Sequence, residues 1–85
     1  MRKICEIDAA EVYHRSGEMP WDNSLRKSRL NTAWIQQAFT TPQRQFLEKH
    51  RYTLRPHPKH NPTVELFIDE QDLRETDWTV IRLLF

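Results

Sequence analysis

Apolar positions change their period several times along these 85 residues, and each change marks a predicted element. Arg2–Ile7 reads as a short strand. Asp8 followed by Glu11 has the spacing of a reciprocal helix cap, so a helix is expected through Val12 to Arg15. It should stop at Ser16-Gly17, where the only glycine in the chain stands ready for a left-handed turn. A second helix is placed from near Asn31, because Trp34, Ile35, Ala38 and Phe39 share one side at 100° per residue. Thr41 and Pro42 are a good N-cap and first-turn pair for a third helix running to Arg51, with Phe46, Leu47 and His50 as its apolar side. Tyr52–Arg55 then alternates as a strand. Pro56-His57-Pro58-Lys59-His60-Asn61-Pro62 has three residues without an amide donor and is a loop. Thr63–Ile68 is the clearest strand, with Val64, Leu66 and Ile68 on one face. Asp69 should cap a short acidic helix, Glu70 to Asp77. The β-branched run in residues 79–85 favours a C-terminal strand. Residues 18–24 read as a loop with Trp21 as an exposed anchor, and the helical or extended state of 24–30 is left open.

These elements make one small α+β domain over 1–85. Residues 1–30 form an N-terminal extension, 31–78 a helix–turn–helix with a β-hairpin wing, and 79–85 a closing strand; a third strand from the termini would join the hairpin. Nine aromatics among 85 residues supply a core despite the low apolar fraction. The single cysteine, Cys5, excludes an internal disulfide and fits a reducing compartment. No apolar run approaches a membrane span, and the N-terminus lacks a secretory core, so the expected location is the cytoplasm.

Charge changes the picture more than composition does. Between Arg26 and Lys59 stand eight cations and one acid, Glu48, whereas the first 25 residues carry five acids against three cations. After His60 there are six acids and two cations. A formal charge of +1 thus hides a basic middle suited to a polyanion.

Ala33-Trp34-Ile35-Gln36-Gln37-Ala38-Phe39, then Thr41-Pro42-Gln43-Arg44-Gln45-Phe46-Leu47, then the exit Glu48-Lys49-His50-Arg51-Tyr52 and the loop Pro56-His57-Pro58-Lys59 resemble, in layout, the winged helix-turn-helix domains of phage excisionases and MerR-type regulators. Phe67-Ile68-Asp69-Glu70-Gln71-Asp72-Leu73 would be the strand-to-helix close. The resemblance covers somewhat over half the chain. It implies double-stranded DNA as partner, with the third helix entering the major groove. Thr41, Arg44, Gln45 and Lys49 would then face the DNA, Arg44 suited to guanine and Gln45 to adenine. Lys49 and Arg51 would lie on phosphates. Arg55, His57 and Lys59 would follow the adjacent backbone or minor groove, and Arg26, Lys27 and Arg29 would add phosphate contacts. An excisionase-type accessory factor working with a recombinase, and a small transcriptional regulator, fit equally.

Two other classes stay open. A phage or mobile-element protein of this size can inhibit a host nuclease or polymerase, using its acidic ends as a nucleic-acid mimic or Leu83-Leu84-Phe85 as a docking surface. A small ribonuclease toxin would use His57, His60, Lys59 and Arg55. The chain carries no phosphate-binding glycine loop, nucleophile elbow or metal-site spacing, so no catalytic residue, cofactor or metal ligand is assigned.

Overall fold

The computed structural model describes residues 1–22 and 29–85. Its order is β1 (Arg2–Asp8), α1 (Ala9–Ser16), β2 (Trp21–Asp22), β3 (Arg29–Leu30), α2 (Thr32–Ala38), α3 (Thr41–Glu48), β4 (Tyr52–Pro56), β5 (Thr63–Ile68), a 3₁₀ turn (Glu70–Asp72) and α4 (Glu75–Leu84). The domain is α+β. β1, β5 and β4 form an antiparallel sheet in that order, so the N-terminal strand is the third strand beside the hairpin. β2 and β3 pair separately.

Local chemistry fixes most boundaries. The Asp8 carboxylate accepts from the amides of Ala10 and Glu11 and starts α1, and Gly17 ends it at φ 73°. Asn31 caps α2 through the Ala33 amide. α3 carries a full capping box, one residue earlier than expected. Thr40, not Thr41, accepts from the Gln43 amide, and the Gln43 side chain accepts from the Thr40 amide. The register moves because reciprocal capping satisfies two orphan amides, where Thr41 alone would satisfy one.

Alternation along β5 puts Val64, Leu66 and Ile68 on one face, each at 2% exposure or less. Trp34 of α2, Phe39 at its C-cap, Phe46 and Leu47 of α3, Leu54 of β4 and Ile81 of α4 are buried with them. Phe85 meets both Phe39 and Phe46 edge-on, which ties the chain end to the two central helices. The opposite face of the sheet carries Lys3, Glu6, Thr53, Arg55, Thr63, Glu65 and Phe67.

Four expectations are corrected. Residues 79–85 are not a strand but the end of α4. Trp78, Ile81, Leu84 and Phe85 recur at helical spacing and pack on the core, and Asp77 accepts from the Arg74 amide at 2.8 Å. Burial of that stripe outweighs the β-propensity of Thr79, Val80 and Ile81. The acidic segment 70–77 is a 3₁₀ turn, an extended Leu73, and then the first turn of α4. α3 ends at Glu48 rather than Arg51. With no glycine to take a left-handed stop, the chain leaves through a right-handed Lys49 and enters β4 three residues later. Trp21 is half-buried against the core instead of a free anchor. The two readings offered for 24–30 are decided only at Arg29–Leu30, which is extended; 24–28 lie outside the described residues.

Candidate nucleic-acid interface

The α2–α3 corner is built without glycine, and arginines replace it. Phe39, the C-cap just after α2, is extended at φ −117°. No basic residue stands in the last turn of α2. Its terminal carbonyls still need donors. Arg44 supplies two of them from the following helix, to Gln36 O at 2.7 Å and Phe39 O at 2.9 Å, and a third bond to Thr41 Oγ1 at 3.0 Å. Arg15 of α1 reaches Gln37 O at 3.1 Å. Arg44 is thereby half-buried and turned toward α2. The fork that suited guanine is occupied by the protein's own backbone, so Arg44 sets the angle between the helices rather than lying free for a base.

The rest of the expected α3 flank is outside. Thr41, Gln45, Glu48 and Lys49 are exposed, while Gln43, Phe46 and His50 face α4. Gln43 donates to Leu84 O, the His50 ring lies 4.5 Å from that of Phe46, and His50 Nε2 is 3.8 Å from Asp77. His50 is thus a packing residue. Beyond α3, Arg51 and Arg55 are exposed, and alternation along β4 places Arg55 on the same side as Thr53 and away from the core. Arg55 lies over the Phe67 ring at 5.1 Å, which holds its stem while its charge stays outward. Lys59 and His60 are exposed in the hairpin loop. Arg29 is exposed on β3; Arg26 and Lys27 lie outside the described residues.

His57 does not join that exposed set. Its side chain is 14% exposed. Its Nδ1 accepts from the amides of Lys59 at 3.0 Å and His60 at 3.1 Å. Its own amide donates to Thr63 O, and the Thr63 amide donates to His60 O, which closes the hairpin. Two amide donors on Nδ1 leave the ring proton on Nε2, 3.5 Å from Glu6 Oε1.

Glu6, His57 and Glu65 bring three ligand-type atoms within 4.8 Å of one another. This is an ion-pair cluster in its chemistry. The Lys3 ammonium bonds both carboxylates, at 2.9 Å to Glu65. The Nε2 of His57 is a donor in the tautomer its loop requires, whereas a metal ligand needs a lone pair there. The Lys3 hydrogen bond, followed by its charge, holds the Glu6 carboxyl below the ordinary glutamate range, and Glu6 and Glu65 together raise Lys3. Cys5 lies half-buried, and burial pushes its thiol up to about 11, so it is a poor nucleophile at neutral pH. Among the described residues, no helix is long and apolar enough to cross a membrane.

A scan against protein-family models, a search of curated proteins and a search of solved structures each give no match.

Sequence reasoning missed Arg15 and Arg44 as the cap of α2, and the inward role of His57. The first had a readable signal: a short helix with neither glycine nor base at its end must find donors elsewhere. For the second, only the Glu6 contact had none, because it depends on β1 lying next to β5; the two amide bonds to Nδ1 are local to the loop.

Proposed function

We propose that the protein binds double-stranded DNA, with the exposed flank of α3 in the major groove and the β4–β5 hairpin along the neighbouring backbone. One observation carries this reading. Thr41, Gln45 and Lys49 are exposed along α3 and its C-cap, and the next cations in the chain, Arg51, Arg55 and Lys59, are exposed as well. Lys49, Arg51, Arg55 and Lys59 would neutralise phosphates, and Arg29 stands ready to add a contact. Gln45 is the residue placed to read a base edge, with its amide matched to adenine. Glu48 repels phosphates and pairs with a cytosine amine, so it adds selectivity at the expense of general affinity. Arg44 supports the contact indirectly, by holding α3 against α2. The layout suits an excisionase-like accessory factor or a small regulator.

The test is a fluorescence-anisotropy titration with duplex DNA across a salt series. Four phosphate contacts give a slope of log K against log salt of about −4. Lys59→Ala should reduce the slope by about one and weaken all sequences alike, and Gln45→Ala should relax preference at one position. A slope near zero, unchanged by Lys59→Ala and Arg51→Ala, removes the proposal.

A second reading rests on α4, where Val80 is 37% and Leu83 82% exposed, three residues apart on the helix. Docking on a host nuclease or polymerase through that face, as an inhibitor, would leave DNA affinity absent and be lost in Leu83→Asp.

A further inference from the structure

We infer that His57 is a proton-sensitive latch for the hairpin loop, and that its ionisation resets the part of the molecule that presents Lys59 and His60. The geometry has two halves. On one side Nδ1 is the acceptor for two consecutive loop amides, those of Lys59 and His60. On the other, Nε2–H faces Glu6 on β1. Among the described residues, the ring is the only side chain bonding the loop backbone, and its neighbours Pro58 and Pro62 have no amide to offer.

A second proton must go on Nδ1, because Nε2 already holds one. That nitrogen then becomes a donor facing two donors. Both loop bonds are lost together, and two N–H groups must turn to water. Other charges around the ring oppose or assist this change from every neighbouring element. Glu6 on β1 and Glu65 on β5 favour the imidazolium, and Lys3, bonded to both, offsets them. The ring of His60 lies 4.6 Å away and disfavours a second cation, as do Lys59 in the loop and Arg55, which stands opposite Glu65 on β4. The imidazolium therefore keeps its attraction to Glu6 while its hold on the loop goes. Protonation swings the loop backbone away from a ring that stays anchored to the sheet.

The consequence for DNA rests on the function proposed above; the latch itself does not. The two separate in one experiment on the full chain. In ¹H–¹⁵N spectra between about pH 8 and pH 5, the His57 ring should start as the Nε2–H tautomer. The Lys59 and His60 amides should shift with the same midpoint as the ring, and their protection from exchange, corrected for intrinsic rates, should fall on the order of tenfold. His57→Gln offers a carbonyl acceptor that does not titrate, so the two amides should hold still across the range. His60→Gln should leave the transition in place. Amides that ignore ring protonation, or an Nδ1–H tautomer at high pH, overturn the latch. Duplex affinity of the wild type, measured over the same range, should fall relative to His57→Gln as pH drops. Moving amides with no duplex affinity at any pH uphold the latch and remove the DNA reading instead.

Discussion

The corner between α2 and α3 and the hairpin β4–β5 are both drawn from the basic middle of the chain, yet they use their charge in opposite directions. At the corner the cation turns inward. Arg44 donates to Gln36 O, Phe39 O and Thr41 Oγ1, and Arg15 adds Gln37 O. In the hairpin the cations Arg55 and Lys59 turn outward, and a neutral ring, His57, does the internal bonding. A charge count therefore overstates an interface wherever a short helix lacks its own cap. It is more faithful where the backbone is already closed by other means.

The largest effect should separate the aromatics of the two regions. Trp34, fully buried under the corner, should lose about 3–5 kcal/mol on substitution by alanine. Phe67, half-buried on the outer face beneath Arg55, should lose only about 1 kcal/mol. Urea unfolding at constant m-value measures both. Trp34 Nε1 has no hydrogen-bond partner among the described residues, so Trp34→Phe forfeits packing alone and should cost clearly less than the alanine change. Equal losses at Trp34 and Phe67 would mean that the hairpin's outer face is covered.

Next in size is Arg44→Ala, which should cost about 1–3 kcal/mol by leaving the end of α2 short of donors. Arg44→Lys should recover only part, since an ammonium cannot span the same three oxygens in a planar fork. Lys59→Ala should stay within about 0.5 kcal/mol. Arg44 therefore separates in the opposite sense to Lys59: it changes stability strongly and the salt slope little. If Arg44→Ala instead left the midpoint in place and lowered the salt slope by a full unit, the corner cation would be free for phosphate after all.

Which parts were readable follows from how local their causes are. The caps at Asp8 and Gly17, the start of α2 near Asn31 and the β5 alternation all depend on residues within a turn or two, and they stand as expected. The C-terminus was misread because Thr79-Val80-Ile81 carries strand propensity, while the stripe Trp78, Ile81 and Phe85 carries helix periodicity. Only the packing of Phe85 on Phe39 and Phe46 decides between them. Within the candidate interface, the exposure of Gln45 and Lys49 followed from helix phase. The diversion of Arg44 follows from a need created eight residues earlier, and that of His57 joins two local loop amides to a strand at the other end of the chain.

The smallest expected effect tests how the hairpin keeps its cations outward. Arg55 sits opposite Glu65 in the ladder, but Glu65 is bonded by Lys3, which also holds Glu6. Lys3 thus offsets one of the two acid charges on this face, and Arg55 lies over Phe67. The Glu6 carboxyl is held below its ordinary range, first by the Lys3 hydrogen bond. Its contribution to folding is therefore complete above about pH 4.3, the unfolded value, and disappears as pH falls through the lower folded value. Lys3 is raised, so its share persists until pH climbs past the ordinary lysine range. Both groups are exposed, so the amplitude is small. Lys3→Met should flatten the acid limb of the stability curve below about pH 4.3, and it should also draw Arg55 off Phe67 toward Glu65. At fixed salt, that inward turn would lower the proposed duplex affinity although Lys3 is not among the residues proposed to contact DNA. An acid limb unchanged in Lys3→Met, with affinity also unchanged, would show that Arg55 owes its outward position to Phe67 alone.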